Sequence, residues 1–565
     1  MQKFIFFLNV FLGTQTLIFG QFTDINVVKE VKVKNKSVVV SAHPLASEAG
    51  ISVINNGGNA FDASIAVQYA LAVVYPQAGN IGGGGFMIAT TPKGEKLALD
   101  FRETAPSKSH KDMFLDEKGN ADTNLSQNGW LAVGIPGTVA ALYEIHKYAN
   151  LPMEKLIQPA IDLAEKGFAI SAGEANLLNK NKQEFLNYNK NIIPFVKDTP
   201  WKEGDILVQK NLAKTLKRIQ KNGIKEFYEG ETAKLIIEEI KRGNGIMSME
   251  DLKNYKVRYR IPLTFDYKGN EIISMPLPSS GGILLSQMLT MADFIGLEGK
   301  EINSPESVQL MVEAEKRAFA DRAEYMGDPD FIEDKTKFLT SKEYLKKRFS
   351  NYDPHIATPS SEVGKIVSPQ RESTETTHIS ILDKEGNAIS ITTTLNGYYG
   401  SKTMVSGAGF FLNNEMDDFS IKPGVPNLYG AVGGEANAIA PNKRMLSSMT
   451  PTIVLKDQKP FIVVGTPGGT TIPTSVFQSI VGIIDFGVSP SEAVNAPKFH
   501  HQWLPETISV EKNFPEHVIK NLEQKNYKFE KRDKIGRVEM IVVDENANYH
   551  AVADSKGDDS VAIEN

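Results

Sequence analysis

The sequence predicts an α+β fold, and three stretches carry that prediction. Residues 377–382 alternate, with His378, Ser380 and Leu382 on one side and Thr377, Ile379 and Ile381 on the other. The turn Asp383-Lys384-Glu385-Gly386-Asn387 and a second run at 388–394 follow, so the spacing reads as a β-hairpin starting at Thr376. Residues 59–75 read as a helix: Asn59 is the cap, Asp62 follows three residues on, and the Ala/Val/Leu-rich run beyond suggests a buried helix. Further along, strand-like runs at 452–455, 461–465 and 538–543 mix with a helical stretch at 474–485.

In chain order, the first twenty residues pair Lys3 with an apolar run from Phe4 to Leu12 and a second apolar patch ending at Gly20, the pattern of a signal peptide. Asn9, Thr14, Gln15 and Thr16 break the roughly 20 apolar residues that a spanning helix needs. Residues 44–55 read as a further helix. The run Gly79-Asn80-Ile81-Gly82-Gly83-Gly84-Gly85 reads as a loop leading into strands at 86–91 and 96–101, joined at Pro92-Lys93-Gly94-Glu95. From 136 to 316 helical patterns dominate, as at 138–148 and 154–166, interrupted by the turn-rich Pro276-Leu277-Pro278-Ser279-Ser280-Gly281-Gly282. Residues 350–375 turn polar, with little apolar periodicity, and read as an exposed, mobile boundary.

Composition narrows the function classes. A chain of 565 residues has ample length for a sizeable core, and 62 basic against 68 acidic residues with no long Lys/Arg block argue against a nucleic-acid partner. There is no cysteine, which excludes disulfides, lipid attachment through a thiol and thiolate zinc sites. The glycines at 82–85 lack the Gly-Lys-Ser/Thr ending of a phosphate loop. His500-His501 lacks the i, i+4 spacing of a helical metal site and no His-Glu-x-x-His occurs, so neither metal nor cofactor is expected. Residues 500–505 are expected to pack Trp503 against the body.

Three features could carry chemistry. Thr376-Thr377-His378 stands at the mouth of a strand; if Thr376 became a chain terminus, its α-amine, with a pKa of about 7.7–8.0, could serve as the base for its own hydroxyl. Threonines at a strand start are also ordinary β-formers. Gly465-Thr466-Pro467-Gly468-Gly469 follows an apolar strand, where consecutive glycines let backbone N–H groups converge as an oxyanion hole requires; a tight turn has the same sequence. Glu415-Met416-Asp417-Asp418 and Arg102 supply charges of both signs, able to hold an α-amino and an α-carboxylate group, or to form surface salt bridges. Ser447-Ser448, after Asn442-Lys443-Arg444, offers hydroxyls beside basic residues, as would a solvated turn.

Taken in order, these pieces resemble the γ-glutamyltransferase (γ-glutamyltranspeptidase) family, a branch of the N-terminal-nucleophile hydrolases. The resemblance runs from about residue 41 to 505. It includes Leu99-Asp100-Phe101-Arg102-Glu103, Gly134-Ile135-Pro136-Gly137, Glu315-Lys316-Arg317, Thr376-Thr377-His378, the run Leu412-Asn413-Asn414-Glu415-Met416-Asp417-Asp418-Phe419, Leu446-Ser447-Ser448-Met449 and Pro467-Gly468-Gly469. It implies a four-layer αββα sandwich formed jointly by two chains from one precursor: a signal peptide at 1–20, a large subunit at 21–375 and a small subunit at 376–565, with autocleavage between Glu375 and Thr376.

By the same resemblance, Thr376 is the nucleophile, Thr394 the second threonine that hydrogen-bonds it, and the amides of Gly468 and Gly469 the oxyanion hole. Arg102, Ser447 and Ser448 look like a carboxylate clamp, and Asn396, Glu415 and Asp418 like an α-amino cradle. Glu415 stands where many bacterial relatives carry glutamine. Residues 423–434, with Tyr429, resemble a lid loop, and nothing is claimed for the tail at 551–565. The implied partners are glutathione and other γ-glutamyl compounds, acceptor amino acids or peptides, and the two subunits paired as a heterodimer, in the periplasm or secreted. Two other readings compete: a relative that deacylates glutaryl or β-lactam side chains, which would have no use for an acidic cradle, and an uncleaved binding protein on the same scaffold.

Overall fold

A computed structural model of the uncut chain describes residues 27–364, 376–422 and 434–565. The leader at 1–20, Glu375 and the loop at 423–433 with Tyr429 lie outside them. Two seven-stranded antiparallel sheets stack on one another. The first runs Ser560–Ile563, Val38–Ser41, Thr377–Leu382, Ala388–Thr394, Gly84–Thr90, Lys96–Asp100 and Arg258–Arg260. The second runs Glu30–Lys34, Asn548–Ala553, Glu539–Val543, Lys459–Gly465, Thr452–Lys456, Asn270–Ser274 and Leu263–Tyr267.

Strand alternation builds the layers. Ile379 and Ile381 point outward into a core shared with the helices Pro44–Asn55, Ala60–Val74 and Met153–Lys166. Leu382, Val38 and Val40 point inward against Ile453, Val463 and Ile541 of the second sheet. That sheet sends Val454, Ile462, Val464 and Met540 outward beneath the helices Gly281–Ile295, Pro305–Tyr325 and Thr471–Ile484. The result is the αββα order, in which each sheet is buried on both faces because each is covered on both.

The helix Ala60–Val74 is buried along its whole length, as its composition suggested. Asn59 and Asp62 form the expected capping box, and Asp62 also accepts the N–H groups of Asn150 and Leu151 at 2.8 Å each, tying the helix start to a neighbouring turn. Trp503 is buried and donates its indole N–H to the Ser360 carbonyl at 2.9 Å.

Two expectations are corrected. The stretch read as helical from 136 to 316 contains the strands Arg258–Arg260, Leu263–Tyr267 and Asn270–Ser274, which lie at or next to the sheet edges. Lys268 (φ 50°) and Gly269 (φ 77°) form the hairpin turn, and half-buried Leu263 and Phe265 alternate with exposed residues. Edge strands have weak apolar alternation, which a helical reading absorbs. The second correction concerns 350–364, which is docked rather than loose. Lys316 Nζ donates to the Thr358 carbonyl at 2.6 Å, Thr358 N–H donates to Glu313 at 3.2 Å, and a short helix Ser360–Val363 buries Val363. Residues 365–375 lie outside the described residues.

His378 faces the space between the sheets. Its Nδ1 lies 2.8 Å from Thr392 Oγ1 and its Nε2 3.1 Å from Ser380 Oγ, while Ser380 Oγ donates to the Glu539 carbonyl at 3.0 Å. Burial pushes its pKa down to about 3, so the ring is neutral. The second sheet passes so close that a Cβ at Gly465 would lie 2.1 Å from His378 Cε1. Gly465→Ala should therefore destabilise the fold by about 1–3 kcal/mol, the usual range for overpacking; urea unfolding monitored by circular dichroism checks this, and an unchanged midpoint would contradict the close packing.

Candidate active site

Thr376 immediately precedes the strand Thr377–Leu382 and is only 5% exposed. In the hairpin Thr377 stands opposite Thr393, so one further step puts Thr376 across from Thr394. Thr394 Oγ1 accepts the Asn396 N–H at 2.8 Å, and Asn396 Nδ2 donates to the Asn414 carbonyl at 3.0 Å. The glycine run is explained here: a Cβ at Gly83 would sit 2.1 Å from the Thr394 carbonyl oxygen, so only glycine lets the loop at 79–83 lie against this strand end. Asn80 bridges the two by donating to the same carbonyl at 2.9 Å.

A narrow pocket opens at Thr376, and Thr394, Asn396, Arg102, Asp418, Ser447, Ser448 and Gly469 also line it. Gly468 is one residue behind Gly469 and Glu415 is buried behind Arg102, so neither forms the wall. The loop at 465–469 leads into the helix Thr471–Ile484. Gly468 (φ 141°) and Gly469 (φ 59°) hold backbone conformations that side chains rarely adopt. Their carbonyls accept the Thr471 and Ile472 N–H groups at 3.1 and 3.2 Å, whereas their own N–H groups meet no acceptor among the described residues. Donors left open at a helix N-terminus suit a developing negative charge.

The charged residues contact one another rather than spreading over a surface: Arg102, Glu103 and Glu415 are buried and Asp418 is half-buried. Arg102 Nη1 lies 2.6 Å from Glu415 and 3.5 Å from Glu103, and Nη2 pairs with Asp418. Burial works against the charge of Arg102, but Glu415, Asp418 and Glu103 outweigh it and keep the guanidinium protonated. Burial pushes all three carboxyls up against the pull of Arg102: Glu103 to about 8, Glu415 well above its ordinary range, and Asp418 upward. They titrate as one set, and Arg322, which also lines the pocket, adds its pull on Asp418 to that of Arg102.

Ser447 is held by the turn-rich segment at 276–282: its N–H donates to the Pro278 carbonyl at 2.9 Å, and its carbonyl accepts the Ser280 N–H and Oγ–H at 2.8 Å each. Arg322, on the helix Pro305–Tyr325, donates to Ser280 Oγ at 3.1 Å and also lines the pocket. Sequence reasoning missed Arg322 and Glu103 as site residues. Glu103 stands in the same motif as Arg102, and Arg322 follows Glu315-Lys316-Arg317 on one helix. Neither is marked out by its neighbours: Glu103 lies between Arg102 and Thr104, and Arg322 between Asp321 and Ala323. The motif itself does other work: Arg317 pairs with Glu313 at 2.5 Å and Lys316 anchors 358.

A threonine at the head of a central strand, in a four-layer αββα sandwich, defines the N-terminal-nucleophile hydrolase class. The chain superposes on a cephalosporin acylase from Bacillus halodurans with a TM-score of 0.83 at 25% identity, covering 98% of this chain and 99% of that one. The γ-glutamyltranspeptidase family model matches residues 46–564, and the chain belongs to that family. It is 45% identical over 531 residues to the glutathione hydrolase proenzyme of Escherichia coli, covering 93% of this chain and 91% of that protein. A Helicobacter pylori γ-glutamyltranspeptidase structure is 44% identical, with a TM-score of 0.56, over 60% of this chain and 95% of that chain.

The Glu103 shift has a testable sign. Its carboxyl holds a proton in the folded chain up to about pH 8, while the unfolded chain releases it near 4.5. Between those values the folded state binds more protons, so this group's contribution to stability is present below about pH 4.5 and is lost as pH rises to about 8. Chemical unfolding of the ligand-free chain across that window should be flatter in Glu103→Gln than in the native chain; parallel curves would contradict a buried protonated Glu103.

Proposed function

We propose that the chain is a self-cleaving γ-glutamyltransferase and glutathione hydrolase whose nucleophile is Thr376. The observation that carries this reading is the register that sets Thr376 opposite Thr394 at a pocket with buried charges of both signs. In the uncut chain the Thr376 nitrogen is an amide and cannot act as a base. Cleavage between Glu375 and Thr376 frees the α-amine, which takes the proton from Thr376 Oγ1 as that oxygen attacks the γ-carbonyl of a γ-glutamyl donor. The amides of Gly468 and Gly469 stabilise the oxyanion, a contribution of about 2.7–4 kcal/mol per donor in comparable sites. The C–N bond breaks, the amine leaves with the proton, and the γ-glutamyl ester on Thr376 is resolved by water or by an acceptor amino acid or peptide.

The electrostatics favour a substrate with both an α-amino and an α-carboxylate group. An α-ammonium entering the pocket meets Asp418 and Asn396 on its wall, with Glu415 behind them. The α-carboxylate shares the guanidinium of Arg102, which has five donors, and meets Ser447 and Ser448. A glutaryl or β-lactam acyl group without an α-amine would make no use of the acidic side of the pocket, which weighs against the acylase reading. The reading includes export through the leader at 1–20 and a mature heterodimer of 21–375 and 376–565; among the described residues no helix is long and apolar enough to cross a membrane.

Two experiments test it. Purified protein lacking residues 1–20 should yield a fragment whose sequence begins Thr376-Thr377-His378, absent in Thr376→Ala; a native chain that stays whole under folding conditions would return the binding-protein reading to the front. In the mature enzyme Asp418→Asn should raise KM for a γ-glutamyl anilide about 10-fold or more, the size expected from a charged hydrogen bond, with a smaller effect on kcat. Equal loss in both parameters would place Asp418 in the chemical step instead of substrate binding.

A further inference from the structure

A second cavity, of about 240 Å³, shares no lining residue with the active-site pocket. Its walls are one face of the helix Ala172–Tyr188, with Lys180, Asn181 and Glu184, and the chain around Gly397, Lys402 and Asn414. Gly397 and Asn414 are the direct neighbours of Asn396 and Glu415. Asn396 lines the active-site pocket and Gly397 this one, so the two cavities approach each other across that peptide unit.

Three observations bear on what this cavity does. The first is charge: Lys402 Nζ lies 3.8 Å from Glu184 and donates to the Tyr398 carbonyl, and Lys180 makes no ion pair among the described residues. Cation, anion and cation thus ring a polar cavity, with Asn181 committing only its Nδ2, to the Leu177 carbonyl at 2.8 Å. The second is backbone conformation. Asn396 (φ 74°), Tyr399 (φ 56°) and Lys402 (φ 63°) are non-glycine residues held in the left-handed region within seven positions, and such strain gathers where surrounding structure imposes it for a purpose. The third is connectivity. Asn414 Oδ1 accepts the Gly397 N–H at 2.9 Å, its Nδ2 donates to the Gln127 carbonyl at 2.9 Å, and its carbonyl accepts Asn396 Nδ2 at 3.0 Å. A ligand pressing on Asn414 therefore acts on Asn396.

We propose that this cavity is a second binding site for a small zwitterion, a free amino acid or dipeptide, whose carboxylate meets Lys180 and Lys402 and whose ammonium meets Glu184. Occupancy shifts Asn414 and, through it, Asn396, altering donor affinity at the catalytic pocket. The coupling rests on the functional reading above; the binding does not.

The experiment separates the two. Isothermal titration of the full-length Thr376→Ala chain with glycylglycine should show binding that weakens at least 10-fold when Lys180→Glu or Glu184→Lys is added and persists when Asp418→Asn is added. Both substituted residues are exposed, so folding is retained. Absence of binding, unchanged affinity in both cavity variants, or loss in Asp418→Asn overturns the site. For the coupling, hydrolysis of a γ-glutamyl anilide by the mature enzyme is measured with trimethylglycine, whose quaternary nitrogen cannot accept an acyl group. KM should shift at least twofold in the native enzyme and not in Lys180→Glu, with kcat without the additive equal in both. An unchanged KM, or the same shift in both enzymes, overturns the coupling.

Discussion

The antiparallel register between Thr377–Leu382 and Ala388–Thr394 is the constraint on which the rest depends. Because side chains alternate with a period of two, this pairing fixes at once which residues enter the outer helical core and which face the second sheet. Thr376, His378 and Ser380 share the inner face and stand opposite Thr394, Thr392 and Ser390. A slip of one residue would put Ile379 and Ile381 between the sheets and send the buried hydroxyls and the imidazole into the helical core. The polar ladder locks the register from the other side, since Ser390 Oγ donates to the Val464 carbonyl at 3.0 Å and Ser380 reaches Glu539. The second sheet thereby holds the strand whose first residue lies beside Thr376.

The electrostatic design of the pocket follows from burial. Three carboxyls packed against Arg102, with Arg322 nearby, cannot all be charged without cost, so the ligand-free set retains protons. The serine side of the pocket is neutral and held by backbone hydrogen bonds, so its geometry does not depend on that titration.

Elements remote in sequence complete both sheets. The C-terminal strands Asn548–Ala553 and Ser560–Ile563 pair with Glu30–Lys34 and Val38–Ser41, so the two ends of the described chain are interlaced, one pairing in each sheet. Residues 358 and 360 are anchored by Glu313, Lys316 and Glu506. Residues before 365 and after 375 contribute to both outer cores, so no domain boundary falls between them.

The sequence by itself determined elements with strong local signals, such as Ala60–Val74 behind its Asn59/Asp62 capping box and the hairpin after Thr376, because capping and alternation leave little choice there. Its ordered motifs also carried the family resemblance and with it the layered architecture. It did not determine the edge strands from 258 to 274, where solvent on one side weakens the pattern, or the docking of 350–364, whose polar residues find their partners on a distant helix. Nor could it place Glu103 and Arg322. Whether a charged side chain is a solvated ornament or a buried member of a site depends on what long-range packing brings against it, and only the tertiary structure decides that.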